Sequence, residues 1–171
     1  MMKILKLAVY FLPALPIAIR SLICWRFWPL MMDIPSEEAQ EREQQRAVIL
    51  SLAGFSFTGI LALVILDATI IPRLHYAVWF LLISFLAYTW SFNAQGYKSK
   101  RWQNEIAVGL LESGGLSLVL AIVSILAASN FDVAFKLTGS GLAVIVSLAD
   151  LVIRARIETS YLSSLEKRHG K

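Results

Sequence analysis

The sequence has little of the side chains that carry most protein chemistry. Its 171 residues include one cysteine, Cys24, and two histidines, His75 and His169. A single cysteine excludes an internal disulfide framework, and it leaves the redox compartment unread. The histidines fall in a connecting loop and in the C-terminal tail, on opposite sides under the topology favoured below, so they cannot share a metal. Neither has a zinc-binding spacing. There is no Cys-x-x-Cys pair, no phosphate-binding glycine loop and no Gly-x-Ser-x-Gly elbow. Gly139 and Gly141 lie within an apolar run and form no dinucleotide fingerprint. No catalytic residue, cofactor or metal is therefore assigned, and the chain is not expected to be an enzyme.

Charge is also sparse. Charged residues make up 16% of the chain, against about 25% in an average soluble domain. Hydrophobic residues make up 57%, and the mean hydropathy is +0.65. These values exclude a disordered chain and an ordinary soluble domain. They imply an integral membrane protein.

A membrane-crossing helix needs about 20 mostly apolar residues. Four stretches qualify, at about 47–66, 76–92, 106–128 and 133–153. Their short connections imply antiparallel neighbours. The expected fold class is an all-α membrane protein, with four transmembrane helices in an antiparallel bundle. Residues 36–171 form this domain, including a cytoplasmic tail at 154–171. Residues 1–35 are harder to read. Leu7 to Ile19 is apolar but short, and it holds Pro13 and Pro16. Two lysines before it imitate a signal peptide, but the segment is expected to be retained. An interfacial or re-entrant helix is the favoured reading, with a fifth span as the alternative.

Basic residues collect on the cytoplasmic side of membrane proteins. Placing Arg20, Arg26, Lys98, Lys100, Arg101, Arg154 and Arg156 at the inner face leaves only Arg73 in an outer loop, with Lys136 just inside the outer boundary. The two termini are then cytoplasmic, in a bacterial or archaeal cytoplasmic membrane. These cations suit anionic lipid phosphates. Without a recognition motif they do not indicate nucleic acid. The stretch 36–46, SEEAQEREQQR, continues the first span as a helix extension with Glu38 and Arg42 paired at i,i+4. The tail carries an apolar stripe at Ile157, Tyr161, Leu162 and Leu165, and reads as a short amphipathic helix. Both segments suit a cytoplasmic protein partner.

Ionisable residues at bilayer depth are the main functional candidates. Lys136 has Asp132 one turn earlier, and Asp150 has Arg154 one turn later, so intrahelical pairs account for them. Glu112 has no cation on its own helix. It is protonated, paired with another helix, or in a water-filled cavity. Ser113 and Ser117 follow it. Ser140, Ser147, Asp150 and Arg154 trace a polar line along the last span. Small residues at Gly54, Thr58, Gly109, Gly115, Gly139 and Gly141 suit close helix packing, within one chain or between chains.

Two functions fit. The first is a homo-oligomeric pore or channel, lined by Glu112, Ser113, Ser117, Ser140, Ser147 and Asp150, because four spans enclose a pathway poorly in one copy. Small bacterial membrane effectors that permeabilise the inner membrane share this architecture, as an analogy only. The second is a non-catalytic anchor or assembly subunit of a larger complex.

Overall fold

Every long apolar run is a helix in the computed structural model, which describes residues 9–33, 39–65, 71–95 and 100–169. A 3₁₀ turn at Leu12–Ala14 leads into α1 (Leu15–Arg26), followed by α2 (Trp28–Asp33), α3 (Ala39–Ile65), α4 (Ile71–Gln95), α5 (Arg101–Ala128) and α6 (Val133–His169). The described residues contain no sheet. The expected Glu38–Arg42 pair, Lys98 and residues 36–38 of the extension lie outside what the structure describes.

Local chemistry sets the helix ends. Pro72 occupies the first turn of α4, where its missing N–H leaves no bond unmade. The Gln103 side chain accepts the Lys100 N–H at 3.1 Å, closing the start of α5. The Ser129 hydroxyl donates to the Leu126 carbonyl at its other end. Asp132 accepts the Ala134 N–H at 3.2 Å, a side-chain cap for α6. The prolines of the N-terminal segment are tolerated for the same reason as Pro72. Pro13 sits in the 3₁₀ turn, and Pro16 is the second residue of α1.

The long helices α3, α4, α5 and α6 run antiparallel in sequence, with α5 at the centre. Buried serines join the first three. The Ser56 and Ser84 hydroxyls lie 3.0 Å apart. Ser84 donates to the Gly114 carbonyl at 3.0 Å, and Ser91 to the Ala107 carbonyl at 2.8 Å. Lipid gives helices little hydrophobic reason to associate, so such bonds and close packing matter more than in water. Gly114 is where packing is tightest, since a Cβ there would stand 2.8 Å from the Tyr88 ring. Phe80, Leu81, Leu116, Leu120 and Ala121 form the largest apolar cluster.

The N-terminal segment does not lie across one end of this bundle. Tyr10 packs on Tyr76 and Trp79 near the start of α4. Trp28 meets Trp102 at the opposite end of the bundle, near the start of α5. Residues 10–28 therefore run the length of the bundle, antiparallel to α5, over about 27 Å at about 1.5 Å per residue. Five helices are long and apolar enough to cross a membrane, and Val9–Arg26 is the first. Its length and course along the bundle suit the fifth-span alternative better than the interfacial reading, in spite of its two prolines. The reading of the tail is corrected. α6 continues unbroken to His169, and Leu162 is buried against Ile23, Phe27 and Met31, so it is no separate surface helix.

Candidate functional site: a charged cleft between α5 and α6

Glu105 and Glu112 are two turns apart on one face of α5, and α1 lies against that face. Gly109 is between them. A Cβ on it would come within 3.2 Å of the Arg20 Cβ and Cγ, so the glycine lets the α1 backbone approach. Arg20 then donates to both carboxylates. Its Nη2 and Nε reach Glu112 at 2.6 and 3.1 Å, and its Nη1 reaches Glu105 at 2.7 Å. All three side chains are at least nine-tenths buried. Pairing with another helix, one of the three states open to Glu112, is present. Arg20, expected at lipid phosphates, instead neutralises part of the bundle interior. The arrangement has two carboxylates and one guanidinium, a net charge of −1 with both acids ionised.

On its other side Glu112 borders a cavity of about 330 Å³. Its polar wall is Glu112, Ser147, Asp150 and Arg154; its apolar wall includes Pro16, Tyr88, Leu111, Leu116 and Leu151. Arg154 Nε donates to Asp150 at 2.8 Å, and both side chains are 57% exposed. The polar line of α6 thus borders the cavity against α5, with Asp150 and Arg154 still largely exposed. A second cavity, about 620 Å³, lies further along the same two helices and is lined by Lys136, Ser140, Gly141, Val123, Ala127 and Leu137, among others. The two cavities border successive stretches of α5 and α6.

The remaining sequence candidates divide. Ser113 and Ser117 are buried away from the cleft; the Ser117 hydroxyl donates to the Ser113 carbonyl. Ser140 and Ser147 line the two cavities. Gly109 and Gly115 are at helix contacts, Gly115 with Tyr88. At Gly54, Gly139 and Gly141 a Cβ would meet nothing within 4 Å among the described residues, and Thr58 is exposed. The Thr58 hydroxyl donates to the Gly54 carbonyl on its own helix, and none of the four contacts another described helix closely. Lys136 does not pair with Asp132, whose carboxylate caps α6; its ammonium donates to the Ser129 carbonyl at the end of α5. Arg101 pairs with Glu158 at 2.8 Å, tying α5 to α6 at their basic end. Arg26 approaches exposed Glu166 at 3.7 Å, Lys100 begins α5, and Arg156 is exposed. Glu105 and Tyr88 were not singled out by sequence. The i,i+7 spacing of Glu105 and Glu112 was the available signal for the first.

Among the described residues no group of His, Cys, Asp or Glu is placed to hold a metal ion. No protein family, curated protein or solved structure matches the chain.

Proposed function

We propose that the chain is a homo-oligomeric pore- or channel-forming membrane component whose pathway follows the α5–α6 cleft. The observation that carries this reading is the half-exposed Asp150–Arg154 pair, beside Ser147 and Glu112, within the length of the spans. Asp150 lies about one turn inside the inner boundary, where a carboxylate is kept from the acyl chains and faces water, a headgroup or a neighbouring chain. One copy leaves the cleft open on one side. The unfilled small-residue face at Gly54 with Thr58, and the open position at Gly139, suit contact between copies. Carboxylates along the route favour cations. The basic ends of α5 and α6 face the cytoplasm under the charge rule. With a fifth span, the N-terminus then lies on the other side.

Asp150 is the informative position, because Arg20 already holds Glu112. Purified protein in liposomes should pass cations in preference to anions, and Asp150→Asn should lower that preference several-fold. A sealed liposome, or a selectivity that Asp150→Asn leaves unchanged, removes the cleft as a pathway.

A second reading is favoured by a different surface. Trp25, Ile157 and Tyr161 are exposed near the basic end, which suits a non-catalytic anchor or assembly subunit contacting another protein. Co-purification of another protein in fixed ratio supports that reading; a monodisperse assembly of this chain alone contradicts it.

A further inference from the structure

The cleft has the chemistry of a phospholipid site, and this rests on the proposed pathway only in its last consequence. Among the described residues, Arg154 uses only Nε on Asp150, and Asp150 uses only Oδ2 in return. The outer edge of the guanidinium and the second carboxylate oxygen are left side by side, half-exposed, at the mouth of the 330 Å³ cavity. That pairing presents a donor fork beside an acceptor, which matches a phosphate next to a primary amine.

Depth points to the same ligand. From Val133 to Arg154 is about 31 Å along α6 at about 1.5 Å per residue. This equals the thickness of a hydrocarbon core of about 30 Å. With the start of α6 at one boundary, Arg154 is at headgroup level on the other, and Asp150 is one turn inside. Away from this mouth the walls are mostly apolar, first at Leu116 and Val119, then at Val123, Ala127, Leu137 and Val144, with Lys136 and Ser140 the polar exceptions in the second cavity. A cavity that is polar at Asp150 and Arg154 and apolar at Leu116 and Val119, with a mostly apolar second cavity further along the same helices, suits a headgroup with its acyl chain. Gly141 helps keep the outer groove open, since no described atom lies within 4 Å of where its Cβ would be.

Charge selects among lipids. Arg20, Glu105, Glu112, Asp150 and Arg154 together carry −1 in their ionised forms. An anionic headgroup would raise this to −2, whereas a zwitterion leaves it unchanged and places its ammonium against Asp150. We propose that the α5–α6 cleft binds an aminophospholipid of the phosphatidylethanolamine type, drawn from the leaflet at the basic end. A bound chain and an open pathway would occupy the same groove, so the lipid would hold the cleft closed.

The test uses the full chain, delipidated in detergent and then incubated with dioleoyl phosphatidylethanolamine, dioleoyl phosphatidylglycerol or soluble phosphoethanolamine. Retained lipid is counted by native mass spectrometry. The expected result is at least five-fold greater retention of phosphatidylethanolamine than of phosphatidylglycerol, with no effective competition by soluble phosphoethanolamine. Asp150→Asn should abolish that preference, and Arg154→Gln should weaken retention of both lipids. Gly141→Leu, which fills the apolar groove far from the charges, should lower retention with the headgroup preference intact. Equal or greater retention of phosphatidylglycerol by the native chain overturns the proposal, as does retention unaffected by all three substitutions. Competition by soluble phosphoethanolamine at equal concentration overturns the acyl-chain part. None of these outcomes depends on conductance, so a sealed liposome would refute the pathway while leaving the lipid site to be judged separately.

Discussion

Replacing Arg20 by Met would remove the cation that Glu105 and Glu112 share. Both carboxylates would remain at least nine-tenths buried, and Glu112 would lose two hydrogen bonds and Glu105 one. Removing one partner of a buried ion pair costs about 3–5 kcal/mol, because a charge is left uncompensated. That is roughly two to four powers of ten in the folding equilibrium. Glu112→Gln alone should cost less, since Arg20 keeps Glu105 and the net charge moves from −1 to zero. Combining Arg20→Met with Glu105→Gln and Glu112→Gln leaves no charge at the site, and should recover most of the loss. Reversible unfolding in mixed micelles, followed by helical circular dichroism, measures these differences. Additive losses across the three positions would refute the reasoning, because coupled residues give non-additive cycles. So would an Arg20→Met variant as stable as the parent chain.

Gly114→Ala should lose about 1–3 kcal/mol, because its new methyl meets the buried Tyr88 ring at 2.8 Å; a neutral result in the same unfolding assay would mean that the α4–α5 contact is looser than described. Gly139→Ala should be neutral or gain up to about 1 kcal/mol in monomeric detergent preparations, as no described atom lies near it and alanine favours helix. Ser84→Ala should cost about 0.6–1.7 kcal/mol by removing a bond to the Gly114 carbonyl and the Ser56 contact, again read from the unfolding midpoint.

The four long spans were legible because each is a sustained apolar run, and hydropathy alone reports that. The N-terminal span was not, for a physical reason. It is short, it holds two prolines, and Arg20 interrupts its apolar face. Arg20 is neutralised by Glu105 and Glu112, which are 85 and 92 positions away, and local pattern cannot show a partner so distant. Asp150 and Arg154 were legible because their pairing is one turn long. Asp132 and Lys136 have the same spacing yet do not pair, since each finds a backbone group at the α5–α6 turn first. Small residues were a mixed guide. Gly109 and Gly115 mark real contacts, whereas the tightest approach is at Gly114, where the large partner Tyr88 decides the matter. The polar line on α6 was visible as a line, but only the placement of α5 shows that Ser147 and Asp150 share a cavity with Glu112.

Side-specific labelling of single cysteines in a Cys24→Ser background tests the five-helix arrangement most directly. Val9→Cys and Asn130→Cys should react with an impermeant thiol reagent from one face of sealed, oriented vesicles, and Lys100→Cys only from the other. If Val9→Cys instead reacted from the same face as Lys100→Cys, the N-terminal segment would not cross the bilayer, and the placement of Arg20 between Glu105 and Glu112 would fail with it.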